Sequence, residues 1–306
     1  MPRAVVNSID TYYDVTGEGE PLLFIHGGYG GAWSTIVPPT IPDLLNFLPP
    51  ERVMSITYDR RCSGRSQYTA DHFTQADLAA DARALLDHLG VREAIIYGAS
   101  AGGPIALQFA LDYPDRVRSL CLTCTAAYLM HDRPRTRQIR AFVEQAKTEG
   151  DASLFDTRRD SQRNPPIHPS IRFGGTVEDE EERASALREA LTRVSDEDLF
   201  LYSTGEIRNM EAALAVNYET RLGEIKVPTI VVHGTADGTV PIEWGEALHR
   251  GIAGSEFRAI PDANHVVSSW PEGARVIRTW IEAQLTLEEA AASAQPNQLA
   301  SDRRSH

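Results

Sequence analysis

The residues able to do chemistry are scattered along this chain. Tyr97-Gly98-Ala99-Ser100-Ala101-Gly102-Gly103 follows a β-branched run and opens a helical pattern. A sharp reversal from strand to helix holds the intervening serine exposed. The serine backbone is strained in such a turn, and a side chain at Gly98 or Gly102 would crowd it. The hydroxyl then sits near a helix N-terminus, whose free N–H groups favour negative charge. Taken alone, G-x-S-x-G more often marks an ordinary glycine-rich turn; its place after a strand gives it weight.

A serine hydroxyl is a poor nucleophile without a base, and the base needs an acid to orient it. Among nine histidines, His265 is the best placed, in the loop Pro261-Asp262-Ala263-Asn264-His265 between the last strand and the last helix. The acid candidate is Asp237, just past the strand that ends at Val232. Asp262 is the rival, but it lies only three loop positions before the histidine, too close to present its carboxylate squarely. Each residue alone reads most simply as a polar loop position. Three of them in the order Ser100, Asp237, His265, each after a strand, suit nucleophilic acyl transfer. The tetrahedral oxyanion of that chemistry needs preplaced N–H donors. Ala101 can supply one, and Gly28 or Tyr29 in His26-Gly27-Gly28-Tyr29-Gly30 another. His26 and His233 read as structural hydrogen-bonding residues rather than bases.

Such loops are positioned by the carboxyl edge of a parallel sheet. Strand patterns occur at Leu22–Ile25, Val53–Tyr58, Ala94–Tyr97, Val117–Thr123, Thr229–Val232 and Glu256–Ile260. Helical patterns span Asp77–Leu89, Ala101–Leu111 and Glu272–Leu285. This alternation predicts an α/β fold with a mostly parallel sheet and helices on both faces. Residues 127–223 break it and read as helices only. They form an expected helical insertion over the sheet's C-terminal edge, with 1–126 and 224–285 as the two parts of the core. An independent helical domain would more naturally sit at one end of the chain. Thr176 and Asp179 suggest a capping box there, and a proline- and glycine-bearing loop runs from Pro165 to Gly175. The tail, 286–306, lacks an apolar period and reads as disordered.

Composition narrows the partners. Lys and Arg number 30 against 43 Asp and Glu, a formal charge of −13. That balance argues against nucleic-acid and anionic-membrane partners, which require clustered cations. No leader peptide and no apolar stretch near the ~20 residues of a membrane span is visible, and a cytoplasmic setting fits. Three cysteines make no disulfide framework. Cys121 and Cys124 read as core residues on opposite faces of a strand. No metal-ligand spacing or dinucleotide fingerprint appears, so no cofactor is expected, and the oligomeric state is not readable.

The chain resembles the α/β-hydrolase superfamily from Pro21 to Leu285. The resemblance rests on His26-Gly27-Gly28, Gly98-Ala99-Ser100-Ala101-Gly102-Gly103, Asp237 and His265. It also rests on Asp59-Arg60-Arg61-Cys62-Ser63-Gly64-Arg65-Ser66, similar to the family's D-x-R-G-x-G-x-S segment, where Cys62 replaces the usual glycine. A thiol there suggests sensitivity to alkylation; the plainer reading is a buried small residue. The resemblance implies an eight-stranded sheet and a helical cap whose inner face shapes the pocket. Ser100 excludes the epoxide hydrolases and haloalkane dehalogenases, which carry aspartate at the nucleophile. It fits esterases, lactonases, thioesterases, carbon–carbon bond hydrolases, cofactor-free haloperoxidases and proline iminopeptidases. The iminopeptidases usually have proline where this chain has Tyr29 and tryptophan where it has Ala101.

The expectation is a serine hydrolase of a small, mostly apolar carboxylic ester or lactone, working through an acyl-enzyme. A carbon–carbon hydrolase with the same residues and a non-catalytic ligand receptor on the same fold are the alternatives. Tyr29, Trp33, Phe142 and Tyr202 are candidate pocket residues, although an aromatic at helical spacing is more often core. Arg133, Arg135 and Arg137 offer attraction for an acidic substrate, against the commoner reading of a solvated face.

Overall fold

The computed structural model describes residues 2–31, 34, 45–163, 185 and 188–294. Eight strands form one sheet: β1 (Arg3–Val6), β2 (Ile9–Thr16), β3 (Glu20–Ile25), β4 (Val53–Tyr58), β5 (Ala94–Ala99), β6 (Val117–Thr123), β7 (Thr229–Gly234) and β8 (Glu256–Ile260). Their order is β1-β2-β4-β3-β5-β6-β7-β8. β2 pairs antiparallel with β1 and β4, and every pair from β4 to β8 is parallel. The six strands read from the sequence are the parallel ones; β3 to β7 are buried on both faces, as parallel strands usually are, and β8 is the half-exposed edge. β1 and β2 are amphipathic and close one edge, which hides them from a search for apolar runs.

The helices named here are α1 (Gln75–His88), α2 (Gly102–Asp112), α3 (Pro134–Glu149), α4 (Asp151–Arg163), α5 (Asp196–Leu214), α6 (Ile242–Gly251) and α7 (Pro271–Ala294). α1 starts on a capping box in which Thr74 and Asp77 satisfy each other's backbone N–H. Leu78, Ala82, Leu85 and Leu86 then face Leu23, Ile25 and Ile96 of the sheet, while Ile277 and Ile281 of α7 pack with Leu22, Ile95 and Ile230 on the other face. α7 runs to Ala294, nine residues past Leu285, where the apolar period stops. Glu288, Glu289 and three consecutive alanines are good helix formers, and extending an existing helix is cheap. Residues 295–306 of the expected tail lie outside the described residues, as do Thr176, Asp179 and the loop from Pro165 to Gly175.

α3, α4 and α5 all fall between β6 and β7 and pack through Ile139, Val143, Leu154, Ile207 and Met210. α5 touches the loop after β4: Asn209 donates to the Arg61 carbonyl at 3.4 Å and Arg208 to that of Ala70 at 2.9 Å. Tyr29, just past β3, packs against the same helical cluster. No described helix is long and apolar enough to cross a membrane.

Candidate active site

Ser100 follows β5 at a φ of +50°. Its N–H donates to the Thr123 carbonyl at 3.0 Å, while its own carbonyl accepts from Gly103 N–H at 2.9 Å and Thr125 Oγ1 at 2.6 Å. A left-handed serine is strained, and these three bonds from neighbouring elements hold it there. The glycines serve close packing: a Cβ on Gly102 would stand 2.1 Å from the Ile25 carbonyl oxygen, and one on Gly27 2.7 Å from Ser100 Cβ. Gly27 is thus where the β3 turn meets the serine. Its neighbour Gly28 has open space about it and a φ of +76°.

The structure brings together three side chains far apart in sequence. His265 Nε2 lies 2.8 Å from Ser100 Oγ, and His265 Nδ1 lies 2.8 Å from Asp237 Oδ2. Asp237 Oδ1 accepts from the N–H groups of Thr239 at 2.8 Å and Val240 at 3.0 Å. Burial alone would raise the Asp237 pKa. Hydrogen bonds from His233 and His265, the His265 charge and the Val240 N–H outweigh burial, and the carboxyl stays below its usual range. Asp262 lies exposed at a φ of +57°, its N–H given to Thr235 Oγ1, so Asp237 holds the acid position against the imidazole.

Among the described residues, the N–H groups of Gly28, Tyr29 and Ala101 donate to no protein acceptor. Behind them lies a feature the sequence reading missed. Arg60 is 2% exposed. Its Nη2 donates to the carbonyls of Gly27 at 3.2 Å and Gly28 at 2.5 Å. Desolvation lowers its pKa to about 10, which still leaves it a cation at neutral pH. His26 braces the same turn: Nδ1 donates to the Gly27 carbonyl at 2.7 Å, and Nε2 accepts the Arg60 N–H at 3.1 Å. Burial, then Arg60, lower its pKa to about 3. A base needs the opposite, so His26 is a hydrogen-bonding brace. The arginine in the Asp59–Ser66 segment was the available signal, but its target lies more than thirty residues upstream.

Cys62 adopts a φ of +57°, the conformation that favours glycine there. It is fully buried, beside Gly205 of α5, and burial pushes its thiol up to about 11. Cys121 is core. Cys124 differs from its strand reading: it lies past β6 at a φ of +47°. Its sulfur and the ligand atoms of Asp237 and His265 lie within 4.8 Å of one another. Burial and the Asp237 charge keep that thiol protonated, and both His265 nitrogens are engaged, so this group suits a proton relay better than a metal.

The pocket candidates separate. Tyr29 touches two apolar clusters, one with Ala101, Leu129, Val240 and Trp244, the other with Phe142. Phe142 lies under the Arg158 guanidinium at 4.5 Å. Tyr202 belongs to a different cluster with Phe155 and Leu199, its ring 4.8 Å from Tyr68. Trp33 lies outside the described residues.

A sequence model of the alpha/beta hydrolase fold family matches residues 20–271. A probable proline iminopeptidase from Leptolyngbya boryana is 26% identical over 299 residues, covering 87% of each chain. A putative non-heme bromoperoxidase from Mycobacterium tuberculosis is 26% identical over 271 residues, covering 84% of this chain and 91% of the other. The crystal structure of the enol-lactonase from Burkholderia xenovorans LB400 superposes with a TM-score of 0.64 at 24% identity, covering 93% of this chain and all of that one.

Proposed function

Since the chain belongs to the alpha/beta hydrolase fold family, we propose that it is a serine hydrolase cleaving a small, mostly apolar carboxylic ester or lactone. The observation that carries this reading is the continuous path from Ser100 Oγ through His265 to Asp237, 2.8 Å at each link. Ser100 Oγ attacks the acyl carbon while His265 Nε2 takes its proton, and Asp237 holds the imidazole. The oxyanion is received by Ala101 N–H and by that of Gly28 or Tyr29. The C–O bond breaks, the imidazolium returns its proton to the leaving alkoxide, and water releases the acid by the reverse sequence. The described helices between β6 and β7 act as a cap over this edge of the sheet.

Relatives described as proline iminopeptidases favour a second reading, release of an N-terminal residue by the same three side chains. Tyr29 and Ala101, in place of proline and tryptophan, count against it. The test is treatment with a fluorophosphonate, then intact-mass and peptide mapping. One adduct on Ser100, absent in Ser100→Ala, is the expected result; no adduct favours a ligand receptor on the same fold. Esters and lactones of varied acyl length, a ring-cleavage dienoate and proline p-nitroanilide then separate the hydrolase classes.

A further inference from the structure

Past β6 the chain packs Ala126 and Leu129 beside Ala101 and reaches Arg133, just before α3. The Arg133 guanidinium lies over the Trp244 ring, 4.4 Å from its centroid. Nη1 donates to the Thr239 carbonyl at 3.0 Å, two residues from Asp237. Nε is buried and has no acceptor among the described residues. Trp244 packs with Ala101, Leu129, Val240 and Tyr29. One apolar wall therefore runs from the residue after Ser100 to the face of a guanidinium.

That guanidinium forms no ion pair with a carboxylate among the described residues; the Asp237 charge reaches it, but that carboxylate is held by His265 and His233. The neighbouring Asp132 is taken by Arg137 at 2.8 Å, and Glu219 faces His131 at 3.5 Å. Arg135, exposed on the first turn of α3, forms no ion pair among the described residues either. It is close enough that, after burial, its charge further lowers the Arg133 pKa, and both arginines act on the Tyr29 hydroxyl. In a chain with a formal charge of −13, two arginines without an ion-pair partner among the described residues, one of them on the wall that starts at Ala101, favour an anionic ligand there.

The geometry points to a substrate that carries a carboxylate at the end of its apolar body remote from the scissile carbonyl, seated on Arg133 and Arg135. A planar guanidinium matches a carboxylate in shape and donor spacing. Stacked on Trp244, it is held with little rotamer freedom left to lose. The inference rests on the hydrolase reading and narrows it to hemiesters or carboxylated lactones.

The probes are monomethyl adipate and its neutral counterpart dimethyl adipate, titrated calorimetrically into the full chain carrying Ser100→Ala. Monomethyl adipate is expected to bind at least about tenfold more tightly. The advantage should disappear when Arg133→Gln or Arg135→Gln is added and shrink in 0.5 M salt. Arg135 has no hydrogen-bonding partner to lose among the described residues, so its variant keeps the test valid should Arg133→Gln fail to fold. Equal binding of the two probes, no binding of monomethyl adipate at millimolar concentration, or a preference that survives both arginine substitutions overturns the inference. Binding is read without turnover, so an inactive wild-type protein would count against the esterase reading and leave this result interpretable.

Discussion

His233 Nε2 lies 3.3 Å from Asp237 Oδ2, the same oxygen that His265 Nδ1 meets at 2.8 Å. His233 is fully buried, and its Nε2 is also 3.0 Å from the Val240 carbonyl. Both neighbours are acceptors, so the proton belongs on Nε2 and is shared between them. Nδ1 is left without a partner among the described residues, against Gly245, where a Cβ would stand 2.4 Å away. The triad carboxylate is thus held by two imidazoles and two amides. His233→Phe puts a slightly larger ring in its place and removes the donor. A hydrogen bond to a charged group is worth about 1.5–3 kcal/mol, so urea unfolding should show a loss of that size. kcat should fall about tenfold as Asp237 loses its fixed orientation, with KM little changed.

Because those donors hold the Asp237 pKa below its usual range, this carboxylate stays ionised wherever the enzyme works. Its contribution to stability is complete above the unfolded value and is lost only as pH falls toward the lower folded one. Protonation of Asp237 should therefore play no part in any loss of activity in mild acid. Asp237→Asn removes the charge and keeps the shape, and should lower kcat by roughly 10⁴. A variant that keeps most of its activity contradicts the assignment.

The meeting of Ser100, Asp237 and His265 was legible in the sequence because each follows a strand of the alternating pattern, and parallel strands deliver such loops to one edge. What escaped was contact across the chain. Nothing local to Arg60 announces that it grips the carbonyls of Gly27 and Gly28, and nothing near His233 shows that it turns back onto Asp237. β1 and β2 escaped because a half-exposed edge strand carries no continuous apolar run. Phe142 and Tyr202 look alike as aromatics at helical spacing, and only packing places one in Tyr29's cluster and the other away from it.

Arg60 separates activity from stability. Its Nη2 fixes the orientation of two peptide groups in the turn that carries the proposed oxyanion donors. Arg60→Met should let those groups turn and misaim the oxyanion donors. Losing one such donor costs roughly 10²–10³ in rate, so kcat is expected to fall at least tenfold with KM nearly kept. A buried cation held by carbonyls rather than by a carboxylate is expensive to desolvate, so removing it can be neutral for stability or favourable. A thermal midpoint that falls steeply along with kcat would show that Arg60 holds the fold rather than the site.

The thiols should be silent in the folded protein. Cys62, Cys121 and Cys124 are all buried, and burial raises each pKa, Cys62 to about 11. Thiolate is the reactive form, so both access and ionisation protect them. Iodoacetamide at pH 8 should leave activity and mass unchanged over an hour, and add three carbamidomethyl groups once the chain is unfolded in guanidinium. Inactivation of the native protein by a single adduct on Cys62 would restore the idea of a reactive thiol at the site.

His26 should set part of the acid lability of the fold. Its pKa is near 6.5 unfolded and falls to about 3 in the folded chain, chiefly because burial penalises the charged ring. The unfolded state then binds the extra proton between those values. This histidine costs nothing above pH 6.5, and stability declines as pH falls from there toward 3. By pH 4 the loss amounts to about 3 kcal/mol, because each pH unit crossed between the two values removes about 1.36 kcal/mol. His26→Gln sacrifices two short hydrogen bonds and should be the less stable protein at pH 7, but its stability cannot decline by this route. Urea midpoints from pH 7.5 to 4 should therefore converge between the two proteins. The carboxylates are common to both, so parallel curves would mean that His26 takes up its proton in the folded state without penalty, against the burial that surrounds it.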